Sequence, residues 1–403
     1  MHSGSEAGGG AGGGAGGGAG GGAGGGAGGG AGGGAGGGAG GGAGGGAGGG
    51  AGGGAGGGAG GGAGHAGGQS SPQLNYALVM THDGTTAYWD PDDQITQNSR
   101  VVSQPKGYAN LSYLNPQRRM GLLYSEIRSM FSVGGLGSAP GQPATLTCAG
   151  IDVCTISGRP SEAFLREQMK YVRNYADLRT DRLAEINQQI YDLISFFGGA
   201  ARLDVGQRER TLELLTVMQS VTYDLEMLIK HICWTPRPVD LSPYVTPMIQ
   251  TPDHSSFPSG HAAEAFVLAS TLQTFINTIA AQPNNPWPIT MRVAHRIAAN
   301  RTVAGVHFPV DSAAGAVLGM AIADTVAAVA DANQRPPSVN KHAFTLDTAP
   351  RGPNHNGTFS AGEDFTTTWV RGYSPPGSET LATNPDAPIL RAYWEAVADE
   401  WKA

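Results

Sequence analysis

Three polar clusters between Lys230 and Asp311 carry the residue types that chemistry on a tetrahedral oxyanion requires. They read Lys230-x6-Arg237-Pro238, Pro258-Ser259-Gly260-His261 and Arg301-x5-His307-x3-Asp311. Three long cations can neutralise oxygens, and a hydroxyl and a backbone turn can donate to them. Two imidazoles and a carboxylate supply a nucleophile, a proton donor and an orienting acid.

Each cluster also has a plainer reading. Lys230 at a helix end can simply complement the helix dipole, with Arg237 a surface charge. Ser259 can be an ordinary N-cap with a solvent-facing His261. His307 and Asp311, four residues apart across Pro309, can be a structural His–Asp cap, or a pair in which Asp311 orients the imaginable nucleophile through one ring nitrogen. Three such clusters in this order make the chemical reading the stronger one.

The elements that position them follow from periodicity. Helices are expected at about 120–130, 161–176, from 180 to the Gly198-Gly199 pair, at 206–233, 259–281, 289–303, 309–330 and 387–401. Lys230 then ends one helix and Arg237 follows it between two prolines. Ser259 opens the next helix, where the Gly260 amide can approach an anion. Arg301 lies near the end of another, His307 in the turn after it, and Asp311 in the first turn beyond Pro309. Residues 76–102 alternate like short strands, while 110–153 and 343–386 read as loop. The fold expected is all-α: a helical bundle with long loops and a small irregular N-terminal β element.

The motifs resemble those of the type 2 phosphatidic acid phosphatase and vanadium haloperoxidase superfamily, whose pattern is K-x6-RP, PSGH and SR-x5-H-x3-D. The resemblance covers about Lys230 to Ala330, and Asn300 stands where that family usually has Ser. It implies a bundle of that superfamily's type, with Lys230, Arg237, Ser259, Gly260 and Arg301 binding the oxyanion. His307 would attack phosphorus or ligate vanadate, Asp311 would orient it, and His261 would protonate the leaving group. The first activity implied is metal-independent phosphomonoester hydrolysis through a phosphohistidine, with no cofactor. The alternative is a vanadate-dependent haloperoxidase using peroxide and halide. His254, five residues before Ser259, is similar to a bromoperoxidase position and is a candidate for a halide or substrate pocket. A binding or structural protein on the same scaffold is a third reading.

Composition bounds the rest. Gly8 to Gly64 is an unbroken Gly-Gly-Gly-Ala repeat holding most of the 67 glycines, a tract with nothing to bury and maximal backbone entropy. The organisation expected is a disordered tail over 1–68, an irregular segment packing on the core over 69–160, a helical catalytic core over 161–335, and a loop with a terminal helix over 336–403. A net charge of −7 speaks against nucleic acid or an anionic membrane surface as partner, so a small phosphorylated or organic substrate must be drawn in locally. No metal-ligand spacing is present, and Cys148 and Cys154 are either a loop disulfide or two free thiols. No secretory signal is visible and no membrane span is expected; the nearest stretch, 310–330, is broken by Asp311 and Asp324. The expectation is a soluble protein, cytoplasmic by default with export open, and a homo-oligomer is left open.

Overall fold

The computed structural model describes residues 109–279, 288–331, 336–347, 358–365, 367–383 and 385–402. The Gly/Ala repeat and the strands expected at 76–102 lie outside the described residues. Residues 109–113 and 118–402 belong to one compact unit.

The elements, in chain order, are α1 (Pro116–Ser129), β1 (Phe131–Gly134), β2 (Ala144–Cys148), β3 (Ile151–Ile156), α2 (Glu162–Tyr175) and α3 (Arg179–Gln188). There follow α4 (Glu209–Cys233), α5 (Gly260–Ile279), α6 (Ile289–Val303), α7 (Pro309–Ala330), β4 (Ser338–Asp347), β5 (Thr358–Ser360), α8 (Thr367–Gly372), β6 (Gly377–Thr380) and α9 (Pro388–Lys402). Short one-turn helices fill several of the connections.

Helix α5 is the hub, packed on α4, α6 and α7. Its first three turns are buried on all sides, so an apolar stripe alone does not describe it. Two glycines let α7 lie almost on its backbone. A Cβ at Gly315 would sit 2.3 Å from the Ser259 carbonyl oxygen, and one at Gly319 2.2 Å from that of Ala263. Helix α7 is long and apolar enough to cross a membrane by length and composition, yet 78% of its most apolar window is buried inside the fold. It is the central core helix, and it carries the buried Asp311.

The all-α expectation is overturned by a mixed six-stranded sheet in the order β1-β2-β3-β4-β5, with β6 also paired to β4. Strands β1, β2 and β3 run antiparallel, and β2 turns into β3 through Ala149 and Gly150, both at positive φ. That is the backbone a two-residue hairpin needs, and it falls inside the stretch read as loop. Strand β4 then joins β3 in parallel, pairing Cys154 with His342 and Ile156 with Phe344. The stretch at 343–386, also read as loop, thus contributes strands and a short helix. Helix α7 packs against β3 and β4.

Of the two readings left open for Cys148 and Cys154, free thiols hold, and one helix expectation changes. Cys148 and Cys154 are free and buried on neighbouring strands, where Cys148 faces Ile151 and Cys154 faces Leu146. The helix expected to run from 180 to Gly198 stops at Gln188. Asp192 Oδ1 accepts from the Ser195 amide at 3.0 Å, a local bond that competes with the helical ladder.

Candidate active site

Each cluster sits at a helix end. Proline at 309 fixes the first turn of α7, and Asp311 Oδ2 accepts from the Phe308 amide at 2.9 Å, closing that turn. The same oxygen accepts from His307 Nδ1 at 3.0 Å and from Ser256 Oγ at 2.5 Å. A cap and an orienting acid are therefore one carboxylate. The turn before it bends at Gly305, φ 80°, where a Cβ would meet Arg179 Nη2 at 2.7 Å.

On the far side of the imidazole, His307 Nε2 lies 3.0 Å from Arg237 Nη1. A guanidinium can only donate, so Nε2 is the accepting nitrogen and Nδ1 carries the proton that Asp311 takes up as a hydrogen bond. This tautomer leaves a lone pair directed away from Asp311. Arg237 is held otherwise by neutral acceptors: the carbonyls of Val306 at 2.9 Å, His254 at 3.1 Å and Ser255 at 3.3 Å. Its Nη2 also lies 3.2 Å from His254 Nδ1, so His254 borders the site with its ring partly exposed.

Lys230 is buried at the end of α4 and ties down the loop before α5. It donates to the carbonyls of Ser255 at 3.2 Å and Pro258, and pairs with Glu226 at 3.5 Å one turn back. Arg301, 1% exposed, gives Nη2 to Gln189 Oε1 at 2.8 Å. Its Nε and Nη1 meet no hydrogen-bond partner among the described residues, and neither does the buried Ser259 Oγ. The expected Ser259 N-cap is therefore not formed; its amide instead donates to the Asp311 carbonyl at 2.9 Å. Buried donors without acceptors are rare, because each forfeits its hydration. Arg301 acts electrostatically on His261 in the first turn of α5, whose leading amides also lack helical partners, so these donors are candidates for a cradle that takes an anion.

Gly260 has a reason beyond amide access. A Cβ there would meet Glu226 Oε1 at 2.7 Å, so glycine admits the carboxylate that pairs with Lys230. His261, in the first turn of α5, points Nε2 at the Gln189 carbonyl 3.1 Å away. Asn300 does not face the cradle: its Nδ2 donates to Glu185 and Gln189 at 2.9 and 3.1 Å, and its Oδ1 accepts from Arg182 at 2.8 Å.

Burial dominates the electrostatics. It pushes Arg237 and Arg301 down to about 10 and also lowers Lys230. Burial and then the cations Arg237 and Lys230 hold His307 well below its ordinary value, so the ring is neutral at neutral pH. His261 is depressed by burial and by Arg301, and His254 falls to about 4 through burial, Lys230 and Arg237. Burial raises Asp311 to about 6 and Glu226 to about 7, and it lifts Glu264 well above the carboxylate range.

Sequence reasoning missed Ser256, Gln189, Glu226 and Glu264. Glu226 had a signal, since it precedes Lys230 by four residues on one helix face. Gln189 had none, because Asn300 and Arg301, which share its side-chain oxygen, lie more than a hundred residues away. Among the described residues no group of three or more His, Cys, Asp and Glu side chains is arranged to hold a metal ion.

Residues 211–335 match the family model described as the PAP2 superfamily. The match, over 125 of the 403 residues, supports the resemblance to that superfamily that the three motifs carry. That segment spans all three clusters and helices α5, α6 and α7. No curated protein matches the chain.

Proposed function

We propose that the protein is a metal-independent phosphomonoester hydrolase acting through a phosphohistidine. The observation that carries this reading is the set of unpartnered buried donors, Arg301 Nε and Nη1 with Ser259 Oγ, together with the neutral imidazole of His307. Lys230, Arg237, Ser259, Gly260 and Arg301 bind the three non-bridging oxygens, where fixed donors in a buried site are most effective. His307 Nε2 attacks phosphorus along the bond to the leaving oxygen. The N–P bond forms as the P–O bond breaks, and Asp311 stabilises the positive charge that develops on the ring. His261 gives a proton to the departing alkoxide. Arg301 and burial disfavour that protonated ring, and the negative charge of a bound phosphoryl group beside it offsets both. Water then attacks phosphorus and passes a proton back to His261 as the N–P bond breaks, releasing phosphate and restoring both histidines.

A second reading is favoured by His254, whose ring stands against Arg237 at the border of the site. Lys230, Arg237, Ser259, Gly260, Arg301 and His307 would be the residues to hold vanadate in that reading. When bound, vanadate would supply peroxide activation for halide oxidation.

One purified preparation, split in two, separates the readings. One half is assayed for p-nitrophenyl phosphate hydrolysis with and without vanadate, the other for peroxide-dependent bromination after vanadate loading. Hydrolysis blocked by vanadate without bromination supports the phosphatase. Bromination that needs both vanadate and bromide overturns it in favour of the haloperoxidase.

A further inference from the structure

Arg301 keeps two buried donor atoms, Nε and Nη1, without partners among the described residues, so what fixes its direction matters. A guanidinium has five N–H donors in one plane, and holding one edge aims the other. Its Nη2 goes to Gln189 Oε1 at 2.8 Å and, at 3.4 Å, to the Ile186 carbonyl. The same Gln189 oxygen accepts from Asn300 Nδ2 at 3.1 Å, clamping two consecutive residues of α6. Gln189 Nε2 donates to Glu185 at 3.2 Å, and the Gln189 carbonyl lies 3.1 Å from His261 Nε2. Gln189 is fully buried and lies before the family-matched segment, in the turn where α3 ends.

We propose that Gln189 is a positioning residue that acts through Arg301, setting the edge this arginine presents to an oxyanion. The inference rests on the oxyanion reading of the site, whether the bound group is phosphate or vanadate. An amide oxygen suits the task because it accepts from the guanidinium without cancelling its charge. A carboxylate there would neutralise Arg301 and face Glu185. The Asn300 departure from the family pattern is part of the same device, since its amide shares Gln189 and Glu185 and contributes no donor to the cradle.

The test is vanadate affinity of the full chain, measured by calorimetry for wild type, Gln189→Met, Arg301→Ala and the double variant, with melting temperatures alongside. Gln189→Met should weaken vanadate binding about tenfold, the scale of one hydrogen bond to a charged group. In the Arg301→Ala background the same substitution should change affinity less than twofold, because two residues acting as one unit do not add. Unchanged affinity in Gln189→Met, or an equal loss in both backgrounds, overturns the proposal while leaving the oxyanion reading intact. Wild type that binds no vanadate overturns both. Should Gln189→Met fail to fold, Gln189→Glu keeps the shape and the acceptor. Its loss of affinity relative to wild type should be larger at pH 8 than at pH 5, and a loss independent of pH overturns the proposal.

Discussion

Arg237 donates from Nη1 to Nε2 of His307 across 3.0 Å, and that one contact settles which ring nitrogen carries the proton. Nδ1 then serves as donor to Asp311, whose Oδ2 already accepts from Ser256 and the Phe308 amide. An asparagine at 311 would offer a donor where an acceptor is needed. Asp311→Asn should lower kcat for p-nitrophenyl phosphate by about 10³- to 10⁴-fold, as wrong-tautomer substitutions do elsewhere. Vanadate affinity should fall far less, and steady-state kinetics beside a binding titration checks both.

The acid limb of activity follows from the same carboxylate. Burial raises Asp311 from its ordinary value to about 6. Below that pH it is protonated and no longer draws the proton of Nδ1, so kcat, which reports the substrate-bound state, should rise with pH through about 6 and fall again where His261 loses its proton. His307 itself, held well below 6.5, contributes no limb there. A profile flat from pH 5 to 7 would contradict this assignment.

Glu226 makes stability depend on pH in the opposite sense from a paired surface acid. Its value is raised from 4.5 to about 7 by burial, with Lys230 opposing. Between those values the folded chain binds a proton that the unfolded chain has lost, so the contribution is full below about 4.5 and is lost as pH rises through about 7. Wild type and Glu226→Gln should melt alike at pH 5. By pH 8 the wild type should have lost melting temperature relative to the variant.

The α5–α7 contact gives a prediction that separates packing from chemistry. Gly319→Ala places a Cβ against the Ala263 carbonyl and should destabilise the fold by about 1–3 kcal/mol through overpacking, with little change in kcat after correction for folded fraction. Gly315→Ala presses on the Ser259 carbonyl at the cradle itself, so it should reduce both stability and oxyanion affinity. Thermal melts and vanadate titrations of the two variants distinguish the cases.

His254→Ala divides the two activities. As a phosphatase, the protein keeps Lys230, Arg237 and Arg301, and hydrolysis should change by less than about threefold. As a haloperoxidase, bromide-dependent turnover should fall by tenfold or more, since the ring borders the site beside Arg237.

The sequence made the site legible because its members stand where helices must begin and end. Proline at 309 and aspartate at 311 mark one start, and Pro236 and Pro238 mark where α4 cannot continue. Those signals are local, and they positioned seven helices to within a few residues. The sheet was not legible: β1 and β2 are four and five residues long, and β3 meets β4 only after the whole helical core intervenes. Composition also misled, because Gly and Pro around 134–143 hid the alternation in Ala144–Ile156. The break after Gln188 was missed for a subtler reason. Leu183, Ile190 and Leu193 keep helical spacing, and only the Asp192–Ser195 bond reveals the chain turning inward to deliver Gln189.

The parallel pairing of β3 with β4 has a practical consequence for anyone trimming this protein. A fragment cut at residue 335, where the family match stops, removes the strand that covers β3 and leaves a bare row of backbone donors and acceptors beside Cys154 and Ile156. Open strand edges of this kind recruit neighbours. A fragment ending at 335 is therefore expected to associate through that edge, although it holds every motif residue.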